Sequence, residues 1–521
     1  MSSESSERIP FQTLMAESAA RRGDNPAVHT VNGSIPWSAF YQELCRIANG
    51  LRGLGLQRND KVATLDYSTV PHLSLYLGTA LGGGVSVPLS AMATSEQLRA
   101  MVKDCEARVL AVSQAMLPLV EPWLDEIRPQ LLPNGLIAID FDGDGWTSMA
   151  AWVSEQSDAA PDLISNPDDG FNIIYSSGTT GTPKGILHAH SMRDFQISRM
   201  SNFGLGEDAI TLVSTPLYSN TTLVAVLPTI AQGGQLVLME KFNEAQFLEL
   251  AEKYRVSHAM LVPVQYQRLL DHPDFARRDL SSFRMKLCTS APLRRQVKEA
   301  VLERWPGGLC EVYGLTEGGV STTLNCGEFP DKLHTVGRPA EGVDLRIIDE
   351  DGNELPQGEI GEIVGQSGAM MQGYHGRKDL TEAMYWHSPD GELFYRSGDM
   401  GRVDDDGFVE LLDRKKDMII SGGFNVYATD LEQVLLAHPQ VRDAAVVGIP
   451  SKRWGETPVG FVVGTELDPE AVRAWANERL GKGQRLAAIE PMDELPRSVI
   501  GKVLKRELRD DFVKQHPDRV D

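Results

Sequence analysis

The segment FNIIYSSGTTGTPKG (171–185) places hydroxyl side chains, glycines and one lysine directly after an apolar run. Glycine lets backbone N–H groups come close to phosphate oxygens, and Ser, Thr and Lys side chains add further donors. The segment therefore predicts a phosphate-binding loop, with candidate residues Ser176, Ser177, Gly178, Thr179, Thr180, Gly181, Thr182 and Lys184. It is not the Walker pattern, because Pro183 stands where GxxxxGK needs its second glycine, and no GxGxxG occurs in the chain.

Helical patterns and short apolar runs alternate around this loop, and these elements must position it. LYLGTALGGGVSVPLS (75–90) predicts a helix, a turn and a buried strand. Further on, QLVLM (235–239) predicts a strand, residues 242–256 an amphipathic helix, and HAMLVPV (258–264) the next strand. This repeated alternation favours an α/β fold built on parallel sheets.

After Val336 the pattern changes to short strands separated by turn residues. Strands are indicated within 343–356, 358–365 and 401–414, the last with an Asp-Gly turn. This part of the chain predicts a β-rich subdomain.

From about Asp417 the pattern changes again. DLEQVLLAHP indicates a helix, DAAVVGI and PVGFVVG indicate two strands, and PEAVRAWANERL indicates another helix. We therefore expect a large N-terminal domain of parallel-type α/β sheets over residues 1–415 and a small mobile C-terminal α+β domain over residues 416–521, hinged near Lys416.

The charge of the chain restricts its partners. Its 521 residues include 50 Lys and Arg against 72 Asp and Glu, which gives a net charge of −22. Such a surface repels nucleic acid and anionic lipid, so a polyanionic ligand needs a local cationic pocket. We expect no nucleic-acid partner.

The cysteines and the N-terminal segment indicate the compartment. Five cysteines, an odd number without a CxxC pair, argue against a disulfide framework or a structural zinc and predict buried free thiols. The start, MSSESSERIPFQ, lacks the basic flank and apolar core of a signal peptide, and no apolar stretch is long enough to span a bilayer. We expect a cytoplasmic protein without integral membrane association.

Further motifs follow the loop in order along the chain. They are APL (291–293), VYGLTE (312–317), YRSGD (395–399), LLDRKKDMIISGGFNV (411–426) and PRSVIGKVLKREL (496–508). In this set and order the sequence resembles the adenylate-forming superfamily, which includes acyl-CoA synthetases, the adenylation domains of peptide synthetases and firefly luciferase. The resemblance covers essentially the whole chain and is greatest to an acyl- or aryl-CoA synthetase.

The resemblance implies a nucleotide site. Tyr313 would stack on the base, Thr316 would bond the α-phosphate, and Glu317, a hard oxygen ligand, would bind Mg²⁺. Asp399 and Arg414 would hold the ribose hydroxyls. The other nucleotide contacts that it implies outside the phosphate loop are Gly314, Ser290, Ala291 and Pro292.

The resemblance also implies a moving catalytic group. Lys502 would reach the active site and contact the substrate carboxylate and the α-phosphate, stabilising charge in an in-line displacement. Lys416 would be the hinge about which the small domain then rotates. Gly422 and Gly423 would let a thin pantetheine arm pass close to the backbone.

The implied reaction has two steps and uses ATP, Mg²⁺ and coenzyme A. A carboxylate attacks the α-phosphorus of ATP, which releases pyrophosphate and leaves an acyl-adenylate. A thiol then attacks the activated carbonyl and expels AMP, giving acyl-CoA. Thr179, Thr180, Thr182 and Lys184 would hold the β- and γ-phosphates.

The acid is expected to be apolar, either aromatic or a medium- to long-chain aliphatic one. The resemblance implies an acyl pocket near residues 214–227, 258–266 and 311–321. No Asp, Glu, Lys or Arg occurs from Thr211 to Gly234, and an amino-acid substrate would need an acidic partner for its ammonium. The segment PLYSNTT has Ser219 where many relatives have a gating His, so the gate is Tyr218 or is absent. The candidate acid contacts are Tyr218, Ser219, Asn220 and Val262.

Other functions stay open at this point. An adenylation enzyme that loads a phosphopantetheinyl carrier protein would have the same motifs, and a luciferase-like oxygenase is possible on the same scaffold. A silent nucleotide-binding protein would be expected to have lost Lys184, Glu317 or Lys502, and all three are present. A phosphotransferase that forms ADP would be expected to carry the Walker or kinase signatures, and this sequence has neither. The resemblance also leaves a homodimer open.

Overall fold

The computed structural model describes residues 8–176, 184–421, 424–452, 454–481, 484–498 and 501–516. Their α-helices are α1 (Phe11–Arg22), α2 (Trp37–Gly53), α3 (Val70–Leu81), α4 (Ser95–Asp104), α5 (Leu117–Val120), α6 (Leu124–Ile127), α7 (Met149–Ser154), α8 (His190–Met200), α9 (Asn220–Ala231), α10 (Glu244–Lys253), α11 (Pro263–Asp271), α12 (Arg295–Arg304), α13 (Lys378–Glu382), α14 (Ala428–Leu436), α15 (Pro469–Arg479) and α16 (Lys505–Gln515). None of these helices is long and apolar enough to cross a membrane.

The first sheet holds most of the parallel strands that follow the phosphate loop. Its strands are β1 (Pro26–Thr30), β2 (Gly33–Pro36), β10 (Ile210–Val213), β11 (Gln235–Leu238), β12 (His258–Leu261), β13 (Met285–Cys288), β14 (Gly308–Gly314), β15 (Ser321–Asn325) and β16 (Arg338–Pro339). Their order is β16-β15-β14-β13-β12-β10-β11-β1-β2. Strands β14, β13, β12, β10 and β11 run parallel to one another.

The second sheet contains the two strands that precede and follow the phosphate loop. Its strands are β3 (Lys61–Leu65), β4 (Val85–Pro88), β5 (Val109–Val112), β6 (Leu136–Ala138), β7 (Thr147–Ser148), β8 (Gly170–Ser176), β9 (Lys184–Ala189) and β19 (Gly373–Tyr374). Their order is β19-β9-β8-β4-β3-β5-β6-β7. Parallel pairing from β8 to β7 and antiparallel pairing of β8 with β9 confirm the expected α/β fold class.

Two further sheets are formed by strands between Val343 and Met492. The third has the order β17-β18-β21-β20, with β22 paired to β21; its strands are β17 (Val343–Ile348), β18 (Gly361–Ser367), β20 (Tyr385–His387), β21 (Leu393–Val403) and β22 (Val409–Arg414). The fourth has the order β24-β23-β26-β25, with β27 on β26; its strands are β23 (Ile419–Ser421), β24 (Phe424–Val426), β25 (Val441–Ser451), β26 (Gly455–Gly464) and β27 (Ala488–Met492). The third sheet matches the predicted β-rich subdomain.

The chain divides into two compact units. Unit 1 comprises residues 1–333, 339–344 and 366–395, and unit 2 comprises residues 334–338, 345–365 and 396–521. Unit 2 thus includes residues on both sides of Lys416. The domain boundary between residues 415 and 416 was placed at the expected hinge, and a hinge is defined by the movement of the small domain. That boundary therefore stays a prediction.

Local sequence explains why α10 begins where it does. The Asn243 side chain accepts a hydrogen bond from the backbone N–H of Gln246 (3.0 Å) and so caps the first turn. The buried side chains Phe247, Leu248 and Leu250 form one face. The helix lies inside the range that the amphipathic pattern predicted.

One sequence prediction was wrong in detail, and the difference concerns the candidate site. HAMLVPV was expected to be a strand to residue 264, but β12 ends at Leu261 and α11 begins at Pro263. Proline is favoured in the first helical turn, where its missing N–H costs nothing. Val262 is consequently an extended residue just beyond the strand, and its N–H donates to Gln265 Oε1 (3.1 Å).

The cysteine prediction is confirmed. Each of the five cysteines is buried with a free thiol, and burial raises the pKa of Cys105 to about 12 and that of Cys326 to about 11. The thiols are therefore protonated at neutral pH and behave as small apolar side chains.

Candidate nucleotide and acid site

The first sheet brings most of the predicted site residues of unit 1 to one edge. The carboxyl ends of parallel strands meet at the same edge of a sheet, which is where ligands usually bind in α/β folds. Four loops leave this edge, after β10, β12, β13 and β14. They carry Tyr218, Ser219 and Asn220; Val262; Ser290, Ala291 and Pro292; and Thr316 and Glu317.

A direct contact joins two of these loops. Ser290 Oγ and Thr221 Oγ1 are 2.5 Å apart, which links the loop after β13 to the first turn of α9. Ser290 has φ +80°, in the left-handed region that non-glycine residues seldom adopt. This strain is tolerated where the surrounding structure holds the residue, as is common at functional sites.

The helix α9 lies where the sequence predicted an apolar wall of the acid pocket, and its place beside the acid stays a prediction. Ten of its residues are buried, and Pro228 lies inside it. Tyr218 is half-buried just before the helix, and burial raises the pKa of its hydroxyl. Whether Tyr218 acts as the gate stays a prediction.

The phosphate loop joins β8 to β9, with Ser176 paired to Lys184 across the hairpin. The Lys184 ammonium lies 5.7 Å from the centre of the Tyr374 ring, within the range of a cation–π contact. The predicted loop residues outside the described part of the chain are Ser177, Gly178, Thr179, Thr180, Gly181 and Thr182, together with the Ser176 side chain.

Glu317 is oriented by a tyrosine that sequence reasoning missed. Tyr374 donates from its hydroxyl to Glu317 Oε1 (2.9 Å) and lies 3.1 Å from the Tyr395 hydroxyl. Burial, together with the Glu317 carboxylate, raises the pKa of Tyr374, so the phenol stays a donor. Glu317 Oε2 accepts no hydrogen bond from the described residues and is available to a ligand.

This arrangement fits a magnesium ion shared with phosphates. Among the described residues no three His, Cys, Asp or Glu side chains cluster as a metal site. Magnesium bound with a nucleotide usually takes only one or two protein carboxylates and completes its shell with phosphate and water oxygens. The single carboxylate of Glu317 is therefore enough protein ligand for a magnesium ion that is bound with a nucleotide.

Gly318 holds the segment that carries Glu317 against a neighbouring loop. Its φ is +73°, and a Cβ at this position would collide with the carbonyl oxygen of Ala369. The backbone N–H of Met371 also donates to the Glu317 carbonyl (2.8 Å). The close approach of the two backbones thus depends on the absence of a side chain.

We expect Gly318→Ala to lower the rate of acid-dependent AMP formation at least tenfold, since displacement of Glu317 by about 1 Å is enough to cost that much. Gly376→Ala is the matched control, because Gly376 also has a positive φ (+65°) but a Cβ there meets none of the described residues within 4 Å. Equal loss in the two variants would attribute the effect to backbone strain rather than to the collision.

Tyr313 and Gly314 end β14 beside these residues. Tyr313 is half-buried and Gly314 is exposed, and Gly314 pairs with Ser321 of β15. A Cβ at Gly314 would lie 3.2 Å from the carbonyl oxygen of Val320. The position is consistent with close backbone approach, and the base and phosphate contacts stay predictions.

Unit 2 contains the residues predicted for the ribose. Asp399 and Arg414 are directly paired residues of β21 and β22, and Arg414 Nε lies 2.5 Å from Asp399 Oδ1. Asp399 is 6% exposed, and its N–H donates to Ser397 Oγ (3.0 Å). The structure thus brings the two predicted ribose contacts together.

Lys416 and Lys502 are both exposed residues of unit 2. Lys416 lies in a turn that the N–H groups of Asp417 and Met418 close on the Arg414 carbonyl (2.9 and 3.0 Å). The pKa of Lys502 is lowered by desolvation and then by the Arg414 cation, while Asp399 opposes the shift. Because its side chain stays exposed, we treat Lys502 as an accessible ammonium near the Asp399–Arg414 pair. Gly422 and Gly423 lie outside the described residues.

Comparison with known proteins identifies a family for both parts of the chain. The model described as AMP-binding enzyme matches residues 15–375. The model described as AMP-binding enzyme C-terminal domain matches residues 430–502.

Individual relatives span nearly the whole chain. A feruloyl-CoA synthase from Amycolatopsis is 32% identical over 93% of this chain and 96% of its own length. A long-chain-fatty-acid–CoA ligase from Bacillus subtilis is 28% identical over 97% of this chain and 95% of its own. The crystal structure of ATP-bound MatB from Rhodopseudomonas palustris superposes with a TM-score of 0.85 at 28% identity, covering 97% of this chain and 99% of that one.

Proposed function

Because the chain belongs to the AMP-binding enzyme family and is an adenylate-forming acid–thiol ligase, we propose that it joins an aromatic or medium- to long-chain aliphatic acid to coenzyme A. The observation that carries the proposal is the meeting of the apolar α9 wall, the Ser290 loop and the Thr316–Glu317 segment at one sheet edge. The names of its relatives, a feruloyl-CoA synthase and a long-chain-fatty-acid–CoA ligase, support both acid classes and the acceptor.

In the first step the acid carboxylate forms a bond to the α-phosphorus of ATP, and the bond to pyrophosphate breaks. We assign Lys184 and the hydroxyls of the phosphate loop to the β- and γ-phosphates, and Thr316 to the α-phosphate. Magnesium, when bound, neutralises phosphate charge. Glu317 would be its protein ligand, and the Tyr374 hydroxyl holds the Glu317 carboxylate in one orientation.

Unit 2 supplies the remaining groups of the proposal. Asp399 and Arg414 bind the ribose hydroxyls with two acceptor oxygens and a set of donors. Lys502 stabilises the negative charge that develops as the carboxylate attacks.

In the second step the thiolate of coenzyme A attacks the acyl carbonyl, and AMP leaves with the bonding electrons. Gly422 and Gly423 would border the pantetheine arm, and the small domain over 416–521 would turn at Lys416 between the two steps. The exposed turn at Lys416 supports a hinge there, since a hinge residue must change its backbone angles while solvated.

A cytoplasmic location and a homodimer are further parts of the proposal. The five buried free thiols agree with a reducing compartment. Analytical ultracentrifugation tests the dimer.

The proposed function is tested by incubation with ATP, Mg²⁺, coenzyme A and a panel of aryl and C2 to C18 acids. We expect AMP, pyrophosphate and one dominant acyl-CoA, identified by mass spectrometry. AMP or acyl-adenylate without a CoA ester would transfer the acceptor role to a carrier protein. ADP alone, or no acid-dependent turnover, would contradict the assignment.

A further inference from the structure

Arg193 is a charged side chain that is buried without a carboxylate partner among the described residues. It lies on α8 and is 0% exposed. No Asp or Glu of the described residues forms an ion pair or a hydrogen bond with it, and its four hydrogen bonds go to neutral groups. Burying an unpaired charge is costly, so this position is poorly explained by stability alone.

The planar guanidinium is surrounded by acceptors from four elements. Nε donates to Asn172 Oδ1 of β8 (2.8 Å), and Nη1 donates to Gln196 Oε1 of α8 (2.6 Å) and to Asn220 Oδ1 of α9 (2.9 Å). Nη2 donates to His188 Nδ1 of β9 (2.8 Å). A single rigid group therefore sets the positions of both sheet strands and both helices around it.

The contact with His188 fixes a tautomer and, through it, a backbone carbonyl. Because guanidinium can only donate, His188 Nδ1 must be an acceptor, so the ring hydrogen is on Nε2. Nε2 then donates to the carbonyl oxygen of Thr316 (2.7 Å). Burial, and next the Arg193 charge, hold the pKa of His188 well below its ordinary value, so the ring stays neutral. Arg193 is thus two hydrogen bonds away from the segment that carries Glu317.

The contact with Asn220 fixes an amide in the same way. The amide oxygen must face Arg193, so the two hydrogens of Nδ2 point away from it. Nδ2 donates to none of the described residues. Asn220 is the first residue of α9, at the sheet edge where the acid is proposed to bind.

We propose that Arg193 is a positioning residue for acid activation: it holds Asn220 so that the amide Nδ2 donates to the carboxylate of the acid, and it holds Thr316 through His188. This inference rests on the proposed function. It adds a neutral amide donor for the acid carboxylate and explains why a cation is retained in the interior of unit 1.

Asn220→Asp separates this role from a purely structural one. The aspartate still accepts from Arg193 and gives the buried cation a counter-charge, so we expect the melting temperature to stay unchanged or rise. The same change removes the Nδ2 donor and places a negative charge near the acid. We expect kcat/KM for the acid to fall about 100-fold, with KM for ATP within about twofold of its original value.

Arg193→Lys tests the second contact. A lysine keeps the charge but cannot reach four acceptors arranged around a plane. We expect kcat for adenylate formation, followed by pyrophosphate exchange, to fall about tenfold. Thioester formation from supplied acyl-adenylate should change less than twofold, because Arg193 is proposed to position groups for the first step only. Arg199→Lys is the matched control on the same helix, because Arg199 stacks on Phe195 and makes no hydrogen bond to the site.

Each outcome has a defined meaning. Asn220→Asp would overturn the inference if it lost melting temperature and activity in parallel, or if its acid kinetics were unchanged. Equal effects of Arg193→Lys and Arg199→Lys would also overturn it. Absence of acid-dependent AMP formation in the unmodified protein would instead contradict the proposed function. The melting temperature of Asn220→Asp would then still report on the Arg193–Asn220 contact, because that readout needs no activity.

Discussion

Replacement of Lys502 with alanine is expected to lower acyl-adenylate formation about 10³-fold, the cost of losing one preorganised group that faces developing negative charge. Lys502 is exposed and lies in the electrostatic field of Arg414 and Asp399, so its ammonium is accessible next to the predicted ribose contacts. Its backbone is held by Ser498, because the Lys502 N–H donates to Ser498 Oγ (3.2 Å) and the Ser498 N–H donates to the Lys502 carbonyl (2.8 Å). The effect should therefore come from the lost charge rather than from unfolding.

The two half-reactions distinguish this role. Pyrophosphate exchange measures adenylate formation, and thioester formation from supplied acyl-adenylate measures the second step, which should be retained in Lys502→Ala. Lys514→Ala is the control, because Lys514 is an exposed lysine of the nearby helix α16. Equal loss of both half-reactions, or retained exchange, would remove Lys502 from the first step.

Replacement of Glu311 with leucine is expected to lower the free energy of unfolding by about 3–5 kcal/mol, the usual cost of removing one partner of a buried ion pair. Lys298 Nζ lies 2.5 Å from Glu311 Oε2, with the two side chains 2% and 3% exposed. Glu311 Oε1 also accepts from the N–H of Leu293 (2.8 Å), which anchors the loop of Ser290. The variant leaves a buried ammonium with the Leu333 carbonyl (2.7 Å) as a neutral acceptor.

A double variant gives this prediction its control. Glu311→Leu combined with Lys298→Met removes both charges and should recover most of the loss, because two apolar groups leave no unpaired ion. Glu299→Ala on the same helix breaks an exposed pair with Arg295 and should cost less than about 0.5 kcal/mol. Urea unfolding of the four proteins measures these differences. A double variant as unstable as Glu311→Leu would mean that lost packing, not the stranded charge, dominates.

Sequence patterns predicted helices and strands well where neighbouring residues decide the structure. The strand β11, the amphipathic helix α10 and the alternation around them follow from periodicity and from the cap at Asn243. The end of β12 did not, because an apolar run is equally compatible with a strand and with the first turn of a helix. Pro263 decided between them.

The sequence could not predict residues whose role depends on contacts with partners far away in the chain. Tyr374 is 57 residues from Glu317, and His188 is 128 residues from Thr316. A tyrosine in the short strand β19 and a histidine in β9 have no spacing in the sequence that indicates such partners. Arg193 resembled an ordinary polar residue of α8, and only its burial shows otherwise.

The sequence by itself determined the chemistry that is available: a hydroxyl- and glycine-rich loop ending in Lys184, the carboxylates of Glu317 and Asp399, the guanidinium of Arg414, and an uncharged stretch from Thr211 to Gly234. The loop and the uncharged stretch follow from residue type and local order, whereas the roles of Glu317, Asp399 and Arg414 come from the resemblance of their motifs to a known family. The tertiary structure alone decided which groups orient them. Parallel strands carry loops from distant parts of the chain to one edge, and hydrogen bonds form there between residues whose separation in sequence conveys nothing about their distance in space.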